Sequence, residues 1–439
     1  MLRFGTDGVR GDADADLTDD LVVALGRAAA RVLGGEQFLV GRDTRASGTR
    51  IAQALTAGLA FEGAQVVSLG VLPTPAIAYL AQSHNAPAAV ISASHNPWTD
   101  NGVKLLAAGG HKLRDEVEAA IEAELASALA APSDERVVTF NDDQHAAVEY
   151  VEHVTGALEG RSLSGLRVVL DCANGAAFAV GPQVFAALGA DVVVLHAEPD
   201  GRNINAQCGS THPEVVVAAL RVHGAQLGLA LDGDADRVIA VDEDGEVVDG
   251  DQIMTMFALD LRARGLLRNN AIAVTVMSNL GLRRALARAG IEIVETPVGD
   301  RHVLVALAER DLVLGGEQSG HIIMRDLATT GDGLLTGALL CDLIRRTGTP
   351  LSVHARSMER FPQVLVGVRV DRVPDLESAT GVWEEVAAVE ADLGDGGRVL
   401  VRASGTERLV RVMAEARTES EAQAAVARLR HAVEAAFNR

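Results

Sequence analysis

Between Leu229 and Glu246 the chain reads LALDGDADRVIAVDEDGE, which puts three carboxylates, Asp232, Asp234 and Asp236, on alternate positions. Like charges this close repel unless a cation or basic groups lie among them. A calcium loop of the EF-hand type wants acids at positions 1, 3 and 5, glycine at 6 and glutamate at 12. Asp232, Asp234, Asp236 and Glu243 comply, but position 6 is Arg237. The flanking LGLAL and VIAVDEDGEVV read as strands around a turn, not as the helices an EF-hand needs. In an extended strand the three side chains would share one face about 6.6 to 7 Å apart, whereas oxygens of an octahedral magnesium shell lie about 3 Å apart. The backbone must therefore curl, and Gly233 and Ala235 are small enough to allow it. Three carboxylates with no His or Cys in the segment indicate a hard cation, magnesium ahead of manganese or calcium. The alternative is an acidic surface turn.

Three further segments hold groups able to do chemistry. ISASHNPWTDNGVK (Ile91 to Lys104) gathers Ser92, Ser94, His95, Asn96 and Lys104. An ordinary Ser hydroxyl is a weak nucleophile, no G-x-S-x-G elbow is present, and neighbours such as Ser94 and His95 diverge in extended backbone. Local physics reads this segment as a turn closed by Asn96-Pro97. GGEQSGH (Gly315 to His321) has paired glycines that let backbone approach a ligand, with Glu317 and Ser319 able to bond sugar hydroxyls; a polar turn reads equally. RASGTERLVR (Arg402 to Arg411) combines arginines with a Ser-Gly-Thr turn, the composition of a phosphate cradle or of a surface hairpin.

The elements that must position these groups repeat. Three times an apolar run is followed by a helical stretch, a Gly-Ala or Gly-Ile cap and a second run: FLVGRD with AFEGAQVVSLG, LRVVLD with VFAALGADVVVLH, AIAVTV with RRALARAGIEIVET. Third runs follow: AAVISAS, LGLALDGD and DLVLGGEQ. The pattern predicts an α/β fold of three similar βαβαβ-type domains with mostly parallel mixed sheets, plus a smaller α+β C-terminal domain, around a central cleft. Ligands of such sheets gather beyond strand C-termini, where Ser94, the aspartates and Glu317 fall. The expected domains are 1–148, 149–250, 251–360 and 361–439, carrying in turn the serine, metal, sugar and phosphate loops.

With 39 basic against 60 acidic residues the net charge is −21, which argues against nucleic-acid or polybasic membrane binding. At 48% hydrophobic and 3% aromatic, the cores must be built of Ala, Val and Leu. Cys172, Cys208 and Cys341 form neither a disulfide framework nor a metal pattern and read as core residues in a reducing compartment. No apolar leader opens the sequence and no run of about 18 apolar residues occurs, so a cytoplasmic location is expected.

FGTDGVRG, SASHNP, NGVK, DGDADR, VGDR, GGEQSGH and RxSGTExxxR occur in this order along the chain. The set resembles the α-D-phosphohexomutase superfamily, and FGTDGVRG, NINAQCGSTHP (Asn203 to Pro213) and Gln318 are similar to its bacterial branch acting on glucosamine phosphates. That resemblance overrides the local reading of Ser94, implying a phosphoserine that donates and recovers a phosphoryl group. It implies Mg²⁺ held by Asp232, Asp234, Asp236 and an oxygen on Ser94, with Arg10, Lys104, Arg237 and His321 near the reacting group. His95, Glu317 and Ser319 would contact substrate, and Arg402, Ser404, Gly405, Thr406 and Arg411 the non-reacting phosphate. The implied reaction interconverts glucosamine 6-phosphate and glucosamine 1-phosphate through glucosamine 1,6-bisphosphate, for UDP-N-acetylglucosamine and cell-wall precursors, in a possible homodimer. Lys104 and His321 remain alternatives as general base. A mutase for mannose or glucose phosphates is the alternative substrate reading, and a metal-dependent sugar phosphatase the alternative reaction. Arg408, where the family often has proline, and His302, where tyrosine is common, bear on substrate affinity.

Overall fold

The structure, a computed structural model, describes residues 8–130, 142–371, 375–404 and 408–438. Contacts divide the chain into two compact units, one of residues 1–277 and 291–356, the other of Ser278–Gly290 and Ser357–Arg439.

The larger unit holds three sheets built on one plan. The first contains β1 (Val9–Asp12), β2 (Gln37–Arg42), β3 (Gln65–Val71), β4 (Ala88–Ile91) and β5 (Asp100–Leu106), in the order β1-β5-β4-β2-β3. The second contains β6 (Arg167–Asp171), β7 (Asp191–Leu195), β8 (Leu227–Leu231), β9 (Val238–Val241) and β10 (Val247–Val248), in the order β10-β9-β8-β6-β7. The third contains β11 (Ala271–Thr275), β12 (Glu292–Thr296), β13 (Leu314–Gly316) and β14 (Ile322–Met324), in the order β12-β11-β13-β14. In each, the first strand of the repeat lies between the second and third and parallel to both, and a further strand returns antiparallel to the third. The loops β4–β5, β8–β9 and β13–β14 are therefore equivalent, and they carry Ser94, the aspartates and Glu317.

The repeat was readable because its signals are local and physical. β4, β8 and β11 are buried along their whole length, as the continuous apolar runs require of strands covered on both faces. Each helix between the first two strands stops before a left-handed glycine: Gly63 at φ +92°, Gly189 at +85° and Gly290 at +64°. A side chain there would be strained, so the cap can turn straight into a strand. The core is aliphatic as the composition demands, with Leu25, Leu55, Leu59, Val103 and Ile121 buried around Phe38 in the first repeat.

A buried pair ties the second repeat to the third. The Tyr150 hydroxyl donates to both oxygens of Asp332 at 3.0 and 3.1 Å, and Asp332 caps the helix Gly333–Thr347 through the Leu335 amide at 2.9 Å. Burial pushes the Asp332 carboxyl up to about 6. A carboxyl raised above its unfolded value loses stability as pH climbs from about 4 to about 6 and stays at that loss above. Asp332→Asn is therefore expected to melt several degrees higher than wild type near neutral pH, a gain of at most about 3 kcal/mol. The gain should close as pH falls towards about 4. Thermal melts at both ends of that window check it; an equal difference at both would remove the carboxyl's charge as the cause.

The smaller unit carries a three-stranded antiparallel sheet of β15 (Gln363–Arg369), β16 (Arg398–Ala403) and β17 (Leu409–Glu415), ordered β15-β17-β16. Helices Thr380–Leu393 and Glu419–Phe437 pack with it around Val382, Val410, Val412 and Leu429. The first of these helices begins at Thr380, after a turn in which the Ser378 hydroxyl donates to the Asp375 carbonyl. Among the described residues no helix is long and apolar enough to cross a membrane.

Candidate active site

The β8–β9 turn curls as the spacing argument demanded, but the curl comes at Ala235, a non-glycine residue with φ +57°. Gly233 is needed for another reason. A Cβ there would lie 2.5 Å from the carbonyl oxygen of Ser94 and 2.8 Å from Asn205 Nδ2. The glycine lets the serine loop seat against the aspartate loop. As a result all three carboxylates are buried and offer oxygens within 4.8 Å of one another.

Ser94 is almost wholly buried, and its Oγ donates to Asp232 Oδ2 at 2.6 Å. Thr74 donates to Asp234 at 2.6 Å, and Lys104 Nζ lies 2.7 Å from Asp234 and 3.8 Å from Asp236. The Arg237 amide donates to Asp232 Oδ1 at 3.2 Å, and its guanidinium Nε stands 3.6 Å from Asp236. Two side-chain cations thus face three carboxylates. Asp234 Oδ1 and Asp236 Oδ1 are buried with no hydrogen-bond partner, an expensive condition for charged oxygens. Burial and the neighbouring Asp236 and Asp234 push Asp232 well above the usual carboxylate range. Orphaned hard oxygens, clustered and dehydrated, are the donor set a small divalent cation takes.

Arg10, His95, His321 and Glu317, also singled out by sequence, belong to the same unit as this centre. Arg10 lies on β1, directly opposite Gly102 of β5. Burial, with Arg237 and Arg10 nearby, lowers the His95 pKa, so its ring is neutral at pH 7. His95 Nδ1 lies 3.4 Å from both Ser94 Oγ and Arg237 Nη1. His321 Nδ1 stands 3.6 Å from Asp236. Burial disfavours a charged His321 while Asp236 and Asp300 favour it, raising its pKa on balance. The Gly331 amide nitrogen lies 3.1 Å from Nε2, and Asp300 lies 3.5 Å from the same ring nitrogen. Glu317 accepts from the Gly299 amide at 3.1 Å through one oxygen and from Ser319 at 3.3 Å through the other.

In the smaller unit, Arg402 and Arg411 are direct cross-strand partners on β16 and β17. Like charges in that relation destabilise a sheet unless an anion lies between them. Burial and Arg411 lower the pKa of Arg402. The Ser404 amide donates to the Leu409 carbonyl at 2.8 Å, and Arg408 to the Asp371 carbonyl at 3.1 Å. Gly405 and Thr406 lie outside the described residues.

The sequence reading missed Thr74, Arg45 and Asn205. Arg45 donates to the carbonyls of Ser94, Asn96 and Asp100 at 2.8, 2.9 and 2.9 Å, and also to that of Pro97. Asn205 donates to those of Ser94 and Asn96 at 2.9 and 3.1 Å. NINAQCGSTHP thus grips the serine loop. Its Cys208 lies with Asp171 and His196 in a cluster of metal-ligating types. Asp171 there already accepts from Ala173, Gly209 and His196 at 2.8, 2.9 and 3.0 Å, and burial pushes the Cys208 thiol up to about 12. This cluster is internally satisfied, and all three cysteines are buried and free.

Comparison with known proteins gives a consistent result. The four domain descriptions of phosphoglucomutase/phosphomannomutase match residues 1–131, 148–245, 249–361 and 365–432. A phosphoglucosamine mutase of Salinispora tropica is 51% identical over 99% of this chain and 98% of its own length. A phosphoglucomutase/phosphomannomutase family protein from Burkholderia thailandensis superposes with TM-score 0.80 at 26% identity, covering 98% of this chain and 97% of that one. The fold is shared too with an Aspergillus fumigatus N-acetylphosphoglucosamine mutase in complex with GlcNAc-6P and magnesium, at TM-score 0.74 and 20% identity, covering 100% of this chain and 96% of that one. With each of its parts matched and half of its residues shared with a relative along nearly its whole length, the chain belongs to the phosphoglucomutase/phosphomannomutase family, the α-D-phosphohexomutases.

Proposed function

We propose that this protein interconverts glucosamine 6-phosphate and glucosamine 1-phosphate through a phosphorylated Ser94 and glucosamine 1,6-bisphosphate. The observation that carries the reading is the buried Ser94 hydroxyl aimed into the acid cluster, 2.6 Å from Asp232. The amino sugar is favoured by the phosphoglucosamine mutase relative at 51% identity. Mg²⁺ held by Asp232, Asp234, Asp236 and an oxygen on Ser94 would supply positive charge where the transferring phosphoryl group develops negative charge.

The chain's own residues do the rest. Phospho-Ser94 gives its phosphoryl group to O1 of the 6-phosphate; the bisphosphate turns over, and the 6-phosphoryl group returns to Ser94. The P–O bond that forms in each half is matched by one that breaks, so no phosphate is consumed. Lys104, Arg237 and Arg10 offset the charge of the group in flight. Glu317 and Ser319 read sugar hydroxyls, and neutral His95 contacts the substrate beside Ser94. Arg402, Ser404, Gly405, Thr406 and Arg411 bind the phosphate that is not reacting. His321 and Lys104, both beside Asp236, are the two candidates to move the hydroxyl proton. The domain limits 1–148, 149–250, 251–360 and 361–439, the cytoplasmic setting and the homodimer belong to the same proposal.

The test is ³¹P NMR of the full chain with Mg²⁺, glucosamine 6-phosphate and a trace of the bisphosphate. Growth of the 1-phosphate signal is expected. Turnover only of mannose or glucose 6-phosphate would move the substrate, and inorganic phosphate alone would replace the mutase by a phosphatase.

A further inference from the structure

Ser94 has φ +51°, a backbone region that disfavours an L-residue by about 1–2 kcal/mol. Such a conformation persists only where the surroundings over-determine it. Here they do. The Ser94 amide donates to Ser92 Oγ at 2.9 Å, and Ser92 donates to Asp43 at 2.6 Å. The Ser94 carbonyl accepts from Arg45 Nη2 at 2.8 Å and from Asn205 Nδ2 at 2.9 Å. Both donors also hold the Asn96 carbonyl, so each grips both ends of the turn.

Each donor is itself fixed. Arg45 and Asp43 have fully buried side chains joined Nε to Oδ2 at 2.8 Å, and the Arg45 amide binds the other carboxylate oxygen at 3.0 Å. Asn205, from the second repeat, has φ +58°, and its amide donates to the Ala173 carbonyl at 2.9 Å. Thr44 and Ala46 beside Arg45 bond Asn174 and Gly201 of that repeat at 2.6 and 2.9 Å. The wall behind the serine is thus shared by two repeats.

We propose that Arg45 and Asn205 are positioning residues for the nucleophile: by drawing the Ser94 carbonyl to the back of the loop they hold Oγ forward at the acid cluster, and the rate of phosphoryl transfer depends on that hold. The inference rests on Ser94 being the nucleophile, as proposed above. Both residues act on the carbonyl side of Ser94 rather than on Oγ, so their loss misaligns the attacking atom without removing a substrate contact. In-line transfer tolerates little of this, a displacement of about 1 Å being worth about 100-fold. Lysine cannot substitute for Arg45, since its single ammonium lacks the planar fork that spans Asp43 and several carbonyls.

The test compares wild type with Asn205→Ala, Asn205→Asp and Arg45→Lys as full chains with Mg²⁺. Steady-state mutase kinetics are read beside single-turnover phosphorylation of Ser94 by glucosamine 1,6-bisphosphate, followed by intact mass. The expected result is a kcat lowered about 10- to 100-fold, an unchanged KM for glucosamine 6-phosphate, and phosphorylation slowed by the same factor. Asn205→Asp should be worse than Asn205→Ala, because its carboxylate faces two carbonyls. If Arg45→Lys does not fold, the Asn205 variants carry the test. A raised KM with kcat intact, or a lowered melting temperature with an unchanged phosphorylation rate, would overturn the inference. A wild type that phosphorylates Ser94 while the variants match it defeats the clamp alone; a wild type without transfer defeats the functional reading and the clamp with it.

Discussion

Ser94→Ala is expected to lower mutase turnover by roughly 10⁴-fold or more while leaving the fold intact. Alanine suits the site sterically: Ser94 is held through its amide and carbonyl by Ser92, Arg45 and Asn205, none of which needs the hydroxyl. The variant loses the hydroxyl oxygen proposed to accept the phosphoryl group, and with it the hydrogen bond to Asp232. Incubation with bisphosphate should add no mass to it, whereas wild type gains one phosphoryl group. A variant that kept a hundredth of wild-type turnover, on an order-of-magnitude scale, would put the nucleophile on another side chain.

The second large effect carries two opposite signs. Asp232→Asn should reduce kcat on the order of 10³-fold and abolish the rise in melting temperature that Mg²⁺ gives wild type. In metal-free buffer the same variant should melt higher than wild type. Burial and its two acidic neighbours push the Asp232 carboxyl well up, so the folded metal-free protein bears a like-charge conflict that asparagine removes. Asparagine can still accept from the Arg237 amide through its amide oxygen while its Nδ2 donates to the Ser94 hydroxyl, which can accept as well as donate. Melting curves with EDTA and with Mg²⁺ decide the matter. A lower melting temperature in EDTA would mean that the three carboxylates are not in conflict, and the argument for a cation among them would fall.

What the sequence disclosed and what it hid have separate physical causes. The strands, the capping glycines and the curl at the aspartates follow from short-range rules, and each was legible within a few residues. Ser94 was not: read locally it sits in a turn, and only the order of motifs along the chain marked it. Its environment comes from Asp232, 138 residues away, and Asn205, 111 away. Arg45 was hidden for a related reason. An arginine in GRDTRAS would ordinarily reach into solvent, and nothing nearby tells that Asp43 accompanies it into the interior. Gly233 was legible as a glycine that matters, but its cause lies in the serine loop of another repeat.

The equivalence of the β4–β5, β8–β9 and β13–β14 loops has an evolutionary consequence. Copies of one ancestral module would each have begun with the same hairpin at the same rim, free to specialise once a neighbour covered the other duties. In this chain Ser94, the acid cluster and Glu317 with Ser319 stand on separate copies. Selection could then retune the hexose by editing the third module while the first two stay under constraint, which offers a route by which one scaffold diversifies across sugars without reinventing its chemistry.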